Sequence, residues 1–136
     1  MRRLSPTAFC ALVLLPLVPA CGGASVDRDE TFTRLRAAMT EELPEGDVTT
    51  LEDHNQLVED IRDGNVFDGM RRHEVEAAIG RGEDCGTRPV CSQHDLRPTD
   101  WIYEVGRREG VPWGPTIVIG FGRQGIVNNI YTLTRR

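Results

Sequence analysis

Apolar side chains recur along this chain at two different spacings, and the change between them divides it. Phe32, Leu35, Met39 and Leu43 are spaced by three, four and four residues, which lays one stripe along a helix. Asp27 stands three before Glu30 as an N-cap signature, and Pro44 and Gly46 end the run. A second stripe, Leu51, Leu57, Val58 and Ile61, opens at the capping pair Thr49 and Glu52 and closes at Asp63-Gly64-Asn65. His54 falls on that apolar face with no second ligand at helical spacing, and reads as a packed or rim residue. In "GMRRHEVEAAIG", Val75, Ala78 and Ile79 give a third, short helix, and Gly80 suits the residue after its end, where a left-handed conformation is cheap only for glycine. The segment from Arg81 to Pro98 is polar and reads as a loop. Beyond it the period becomes two. Trp101, Tyr103 and Val105 alternate with Ile102 and Glu104; Ile117, Ile119 and Phe121 share a face of a second strand; a tight turn at Gly122 to Gly125 leads to a third over residues 126–134. Helices first and a strand meander last predict an α+β fold.

The first twenty residues do not belong to that pattern. Arg2 and Arg3 precede an apolar stretch from Phe9 to Val18, too short for a span of about 20 residues, and Ala20 is a small residue at a cleavage point. Residues 1–20 therefore read as a signal peptide, 21–26 as a flexible tether and 27–136 as one α+β domain. Removing the leader leaves 14 Arg against 21 Asp and Glu, a formal net charge of −7. An acidic domain lacks the basic face that phosphate neutralisation needs, so nucleic acid is not expected as a partner.

Four cysteines remain to be placed. Cys10 leaves with the leader, Cys85 and Cys91 lie close together in the polar loop, and Cys21 is left over in an exported chain. Val18-Pro19-Ala20-Cys21 resembles a bacterial lipobox, with an aliphatic residue three before the cysteine and a small one just before it. The resemblance implies a diacylglyceryl thioether on Cys21, then cleavage and N-acylation; several acyl chains on one residue anchor stably, at about 0.8 kcal/mol per buried methylene. Gly22 rather than Asp follows, which by the same resemblance favours the outer membrane. The alternative is an ordinary secretory signal.

Gly69-Met70, Val75, Ile79-Gly80, Trp101-Ile102-Tyr103, Ile119-Gly120-Phe121 and Gly125-Ile126-Val127 together resemble the SmpA/OmlA/BamE family of small outer-membrane lipoproteins, over about half the chain. The resemblance implies two or three N-terminal helices packed on one face of a three-stranded antiparallel β-meander, with the helical region 27–63 as an extension. Arg71 stands where the family places a Thr or Ser to cap a helix, and Arg81 where it often has Pro.

Chemistry-bearing residues are few. Cys85 and Cys91 enclose five residues, and a disulfide stapling this Gly- and Pro-containing loop is the expected reading. The rival is a metal site built from Cys91, His94 and His73, but a zinc site normally shows two tight ligand pairs, and Cys-x-x-Cys is absent. Asp53-His54 and His94-Asp95 are neighbours in sequence, which does not orient one side chain on the other, and Ser92 has no nucleophile elbow. Glu83-Asp84 could bind a cation or simply be solvated. Trp113 lies in the loop "EGVPWGPT", either exposed to anchor a partner or folded over the sheet edge. No catalytic residue, metal or cofactor is expected. The function read from the sequence is a non-enzymatic, lipid-anchored envelope protein: a protein-binding or scaffolding domain facing the periplasm, held by a lipid on Cys21, serving outer-membrane assembly or maintenance. The alternative is an inhibitor or ligand-binding module of the kind seen in β-lactamase-inhibitor-like folds; a small hydrolase or metalloprotein stands third.

Overall fold

Asp27 starts the first helix, α1 (Arg28–Thr40), by accepting with one carboxylate oxygen from the backbone N–H of Asp29 at 3.0 Å and of Glu30 at 3.2 Å. A helix leaves these first-turn donors without an internal partner, which is why the cap sets the start. The structure is a computed structural model and describes residues 26–42, 46–106 and 114–135. Phe32 and Leu35 of the α1 stripe are buried and Met39 packs against them partly exposed; Leu43 and Pro44 lie outside the described residues. The second helix, α2 (Val48–Asp63), begins earlier than the Thr49–Glu52 pair predicts. Asp47 caps it instead, accepting from the Thr50 N–H at 3.0 Å and the Thr50 hydroxyl at 2.6 Å.

Between α2 and the third helix, Val66 and Phe67 are fully buried, and Phe67 meets Phe32 with ring centroids 5.3 Å apart. Two apolar residues among polar neighbours carry no period, so the pattern alone left this turn as punctuation. The third helix, α3 (Arg72–Ile79), has Arg71 at its N-cap position. Arginine offers no acceptor. The Glu74 carboxylate instead reaches back to accept from the Arg71 N–H at 2.6 Å, half of a capping box. Gly80 closes α3 at φ +85°, where a side chain would be strained.

The sheet contains β1 (Glu83–Asp84), β2 (Trp101–Glu104), β3 (Thr116–Phe121) and β4 (Val127–Leu133), in that order and antiparallel throughout. The expected three-stranded meander is thus a four-stranded sheet. The extra strand comes from the segment read as polar loop: it has two residues, both exposed, too few to show a period of two. The same segment holds a one-turn helix, α4 (Pro89–Ser92), opened by Pro89. A bulge at Gly120–Phe121 shifts the register so that Gly120 opposes Asn129 and Phe121 opposes Val127.

The period of two now has a spatial meaning. Trp101, Tyr103, Val105, Ile117, Ile119, Phe121 and Val127 join the buried residues of α1, α2 and α3 in one cluster. Their neighbours Ile102 and Val118 join Cys85 and Cys91, with Val90, Leu96 and Tyr131 packed alongside, in a second cluster. The sheet is therefore covered on both faces, which is why β2 and β3 carry apolar residues at nearly every position. Among the described residues no helix is long and apolar enough to cross a membrane.

Candidate functional site

Cys85 and Cys91 are bridged, with S–S 2.09 Å and Cα–Cα 5.9 Å. Both are buried, and their loop lies on the sheet face opposite the helices. Leu96 presses so closely there that a Cβ on Gly120 would stand 2.8 Å from its Cδ2. The bridge also places the other candidates. Cys91 Sγ is bonded to sulfur, and the His94 ring lies on Tyr131 with centroids 4.4 Å apart. His73 is exposed on α3. Cys91, His94 and His73 form no common centre; among the described residues no group of three or more His, Cys, Asp or Glu side chains is placed to hold a metal ion.

The remaining polar candidates are engaged one by one. His54 is buried on α2, its Nε2 3.1 Å from Glu41 Oε2 at the end of α1, and this contact ties the two helices. Glu83 pairs with Arg88, and Asp84 with Arg81 at 3.3 Å, so each carboxylate of that pair already faces a guanidinium. Ser92 donates its hydroxyl to the Pro89 carbonyl at 3.1 Å. Tyr103 donates its hydroxyl to the Gly80 carbonyl at 2.9 Å, and burial pushes its pKa well above that of an ordinary phenol. Cys21 and Trp113 lie outside the described residues.

One polar cluster escaped the sequence reading. Asp100 is only 3 % exposed, directly before β2. Its carboxylate accepts from the Arg97 N–H at 2.8 Å and the Phe121 N–H at 3.1 Å. Arg97 reaches it at 3.5 Å and also donates to the Phe121 carbonyl; Arg72 of α3 comes within 3.9 Å. The Arg72 guanidinium sits 4.1 Å from the Phe121 ring centroid and 4.8 Å from that of Trp101, a cation–π stack that closes the helical core at this end. The signal available was Arg97 and Asp100 flanking Pro98-Thr99, a turn signature, but nothing local announces Arg72 as the third member. His54 Nδ1 and Trp101 Nε1 are buried with no hydrogen-bond partner among the described residues.

These arrangements hold layers together; none sets a nucleophile beside a base. The more open features are surface grooves, among them one of about 160 Å³ between the end of α2 and β4, lined by Arg62, Asn65, Asp68 and residues 127–130. No significant match to a family model, a curated protein or a solved structure is found for the chain.

Proposed function

We propose that this chain is a non-enzymatic lipoprotein of the bacterial envelope, held to the outer membrane by a lipid on Cys21 and facing the periplasm. Its α+β domain binds or scaffolds protein partners in outer-membrane assembly or maintenance. The observation that carries the reading is Val18-Pro19-Ala20-Cys21, a lipobox-like cysteine a short Gly- and Ser-containing tether away from Val26. Val26 packs at the end of α2, where a Cβ on Gly64 would meet its Cγ2 at 3.0 Å. In this reading α3 and the three longer strands are the counterpart of the SmpA/OmlA/BamE arrangement, and α1, α2, β1 and the stapled loop are additions. The engagement of Asp100, His54 and Tyr103 in contacts between elements supports a binding role over a catalytic one.

The test is the intact mass of the N-terminal peptide, together with affinity capture from detergent extract. An N-terminal Cys21 bearing acyl chains and repeated recovery of envelope assembly proteins are the expected results. An unmodified Cys21, or recovery of a soluble enzyme instead, would sink the proposal.

A further inference from the structure

We propose that the peptide bond between Asp68 and Gly69 is a site of spontaneous covalent modification: Asp68 closes through a succinimide and reopens as isoaspartate, and Arg28 promotes the step from across the fold.

The chemistry needs only water. The Gly69 nitrogen attacks the Asp68 side-chain carboxyl carbon, a C–N bond forms, and the amide proton leaves with the carboxyl hydroxyl as water. Water then adds to the Asp68 main-chain carbonyl carbon of the five-membered imide and breaks its bond to nitrogen. The main chain afterwards runs through the former side chain, one carbon longer, and the former main-chain carbonyl is a carboxylate. Addition of water at the other imide carbonyl restores aspartate. Glycine suits the second position because it has no Cβ to crowd the attacking nitrogen.

The reaction asks for an N–H held by no acceptor, a carboxyl held by no cation, and a turn with room to close. Two Asp-Gly pairs lie at and just after the end of α2, Asp63-Gly64 and Asp68-Gly69, and the fold treats them oppositely. At the first, the Gly64 N–H donates to the Asp60 carbonyl at 2.8 Å, and a Cβ on Gly64 would stand 2.8 Å from that same oxygen. The Asp63 carboxylate is bound to Arg62 at 2.8 Å, which holds it below the usual carboxylate range and so keeps it ionised. At the second, among the described residues the Gly69 N–H has no acceptor and the Asp68 carboxylate has no hydrogen-bond or ion-pair partner. Both residues are exposed, and a Cβ on Gly69 would meet nothing within 4 Å.

Arg28 adds what the bare dipeptide lacks. Its guanidinium donates to the Asp68 main-chain carbonyl at 3.0 Å, from the start of α1. That carbonyl belongs to the same peptide group as the Gly69 N–H. A cation on it draws electron density from the amide, eases loss of the proton from the attacking nitrogen, and makes the same carbon the better target for water. The carboxylate that results is left beside a guanidinium.

The place of the turn gives the modification a consequence. Phe67, just before it, is fully buried. Met70, just after it, accepts the Val127 N–H at 2.8 Å, and Arg71 pairs with Ile126. The extra carbon enters between a core anchor and the clamp that joins the start of α3 to β4, so isomerisation loosens that clamp.

The full chain in detergent, folded and in urea, is aged in neutral buffer made with water enriched in heavy oxygen. Fragment spectra assign the label to Asp63 or Asp68, and an isoaspartyl methyltransferase with a labelled methyl donor counts the product. In the folded chain Asp68 should take up heavy oxygen about tenfold faster than Asp63, whose glycine nitrogen must first give up a hydrogen bond. In urea the two rates should converge. Arg28→Ala should slow the folded-state reaction at Asp68 about threefold and leave the urea rate unchanged, because the guanidinium reaches that carbonyl only in the fold. Asp68→Glu, which keeps the charge but closes only a larger ring, should remove most of the methyl acceptor. In the isomerised chain the Val127 amide should exchange about tenfold faster than in the fresh one. The proposal is overturned if Asp63 reacts as fast as Asp68 in the folded chain, if heavy oxygen enters Asp68 with no methyl-accepting isoaspartate, or if Arg28→Ala ages at the parent rate.

Discussion

Asp100 joins three parts of the chain that are remote in sequence: the end of the stapled loop through the Arg97 N–H, the end of β3 through the Phe121 N–H, and α3 through Arg72. A buried carboxylate of this kind is costly to disturb because its removal strands several donors at once. Asp100→Ala should lower stability by about 2–4 kcal/mol, and Asp100→Asn by less, since an amide oxygen keeps one of the two N–H bonds. Urea unfolding with an unchanged slope is the measurement; a loss within error for Asp100→Ala would mean that the cluster is ornamental. Tyr103 makes a different kind of link, a single hydroxyl bond to the carbonyl that ends α3. Tyr103→Phe should cost about 1 kcal/mol at neutral pH. Because burial raises the folded-state pKa above the unfolded value near 10, this residue's contribution is complete below that pH and is lost as pH rises beyond it. The gap between native protein and Tyr103→Phe should therefore narrow in unfolding series taken from pH 9 upward.

The starts of α1, α2 and α3 each depend on one acceptor, and each acceptor was legible to a different degree. Asp27 was visible because it stands three before Glu30 at the head of a clean stripe. Asp47 was hidden behind Thr49 and Glu52, a better-looking pair, and won because the Thr50 hydroxyl and N–H both reach it. Those two bonds, the hydroxyl first, hold the Asp47 carboxyl below the usual carboxylate range. Its stabilising effect on α2 is present above the ordinary carboxylate value near 4 and fades as pH falls through the depressed one. Thr50→Val should move the Asp47 titration upward toward that ordinary value, as followed by carboxyl carbon shifts. The stapled loop shows the other limit of legibility. Six positions separate Cys85 from Cys91, enough to suggest a bridge, but nothing in the loop's polarity announced β1, α4 or its contact with the sheet. That contact is made by Val90, Leu96 and the two cysteines themselves, scattered residues with no common period. Replacing both cysteines by alanine should cost about 2 kcal/mol from the lost loop closure alone. Amide exchange at Ile102 and Val118 should accelerate more than at Ile117 and Ile119, since the loop covers the first pair and the helices the second. Equal acceleration on both faces would show that the two layers unfold as one.

At the scale of the molecule the chain has two ends. Val26, where the tether enters, sits beside Gly64 at the end of α2. Midway along α2, the Asn55 side chain holds the backbone of Arg135, donating to its carbonyl and accepting from its N–H. The α+β class and the strand pairing from β2 to β4 were readable because periods of 3.6 and 2 are imposed by the core itself. The second cover of the sheet and the Asp100 cluster were not, because each is made by residues brought together across the chain. If Cys21 carries the lipid, the five peptide steps from it to Val26 reach at most about 18 Å even when fully extended. The domain is then confined close to the membrane with α1's acidic first turn, Asp27, Asp29 and Glu30, leading. Acidic side chains and anionic headgroups repel within about a Debye length, ~10 Å at 0.1 M salt, so the domain should stand off an anionic surface rather than lie on it. Cys21→Ala should abolish the acyl mass and shift the protein from the detergent phase to the aqueous phase on phase separation. The soluble form, mixed with vesicles of phosphatidylglycerol, should stay unbound at low salt. Detergent-phase retention of the alanine variant, or its adsorption to those vesicles, would mean that the domain itself, and not a lipid on Cys21, makes the membrane contact.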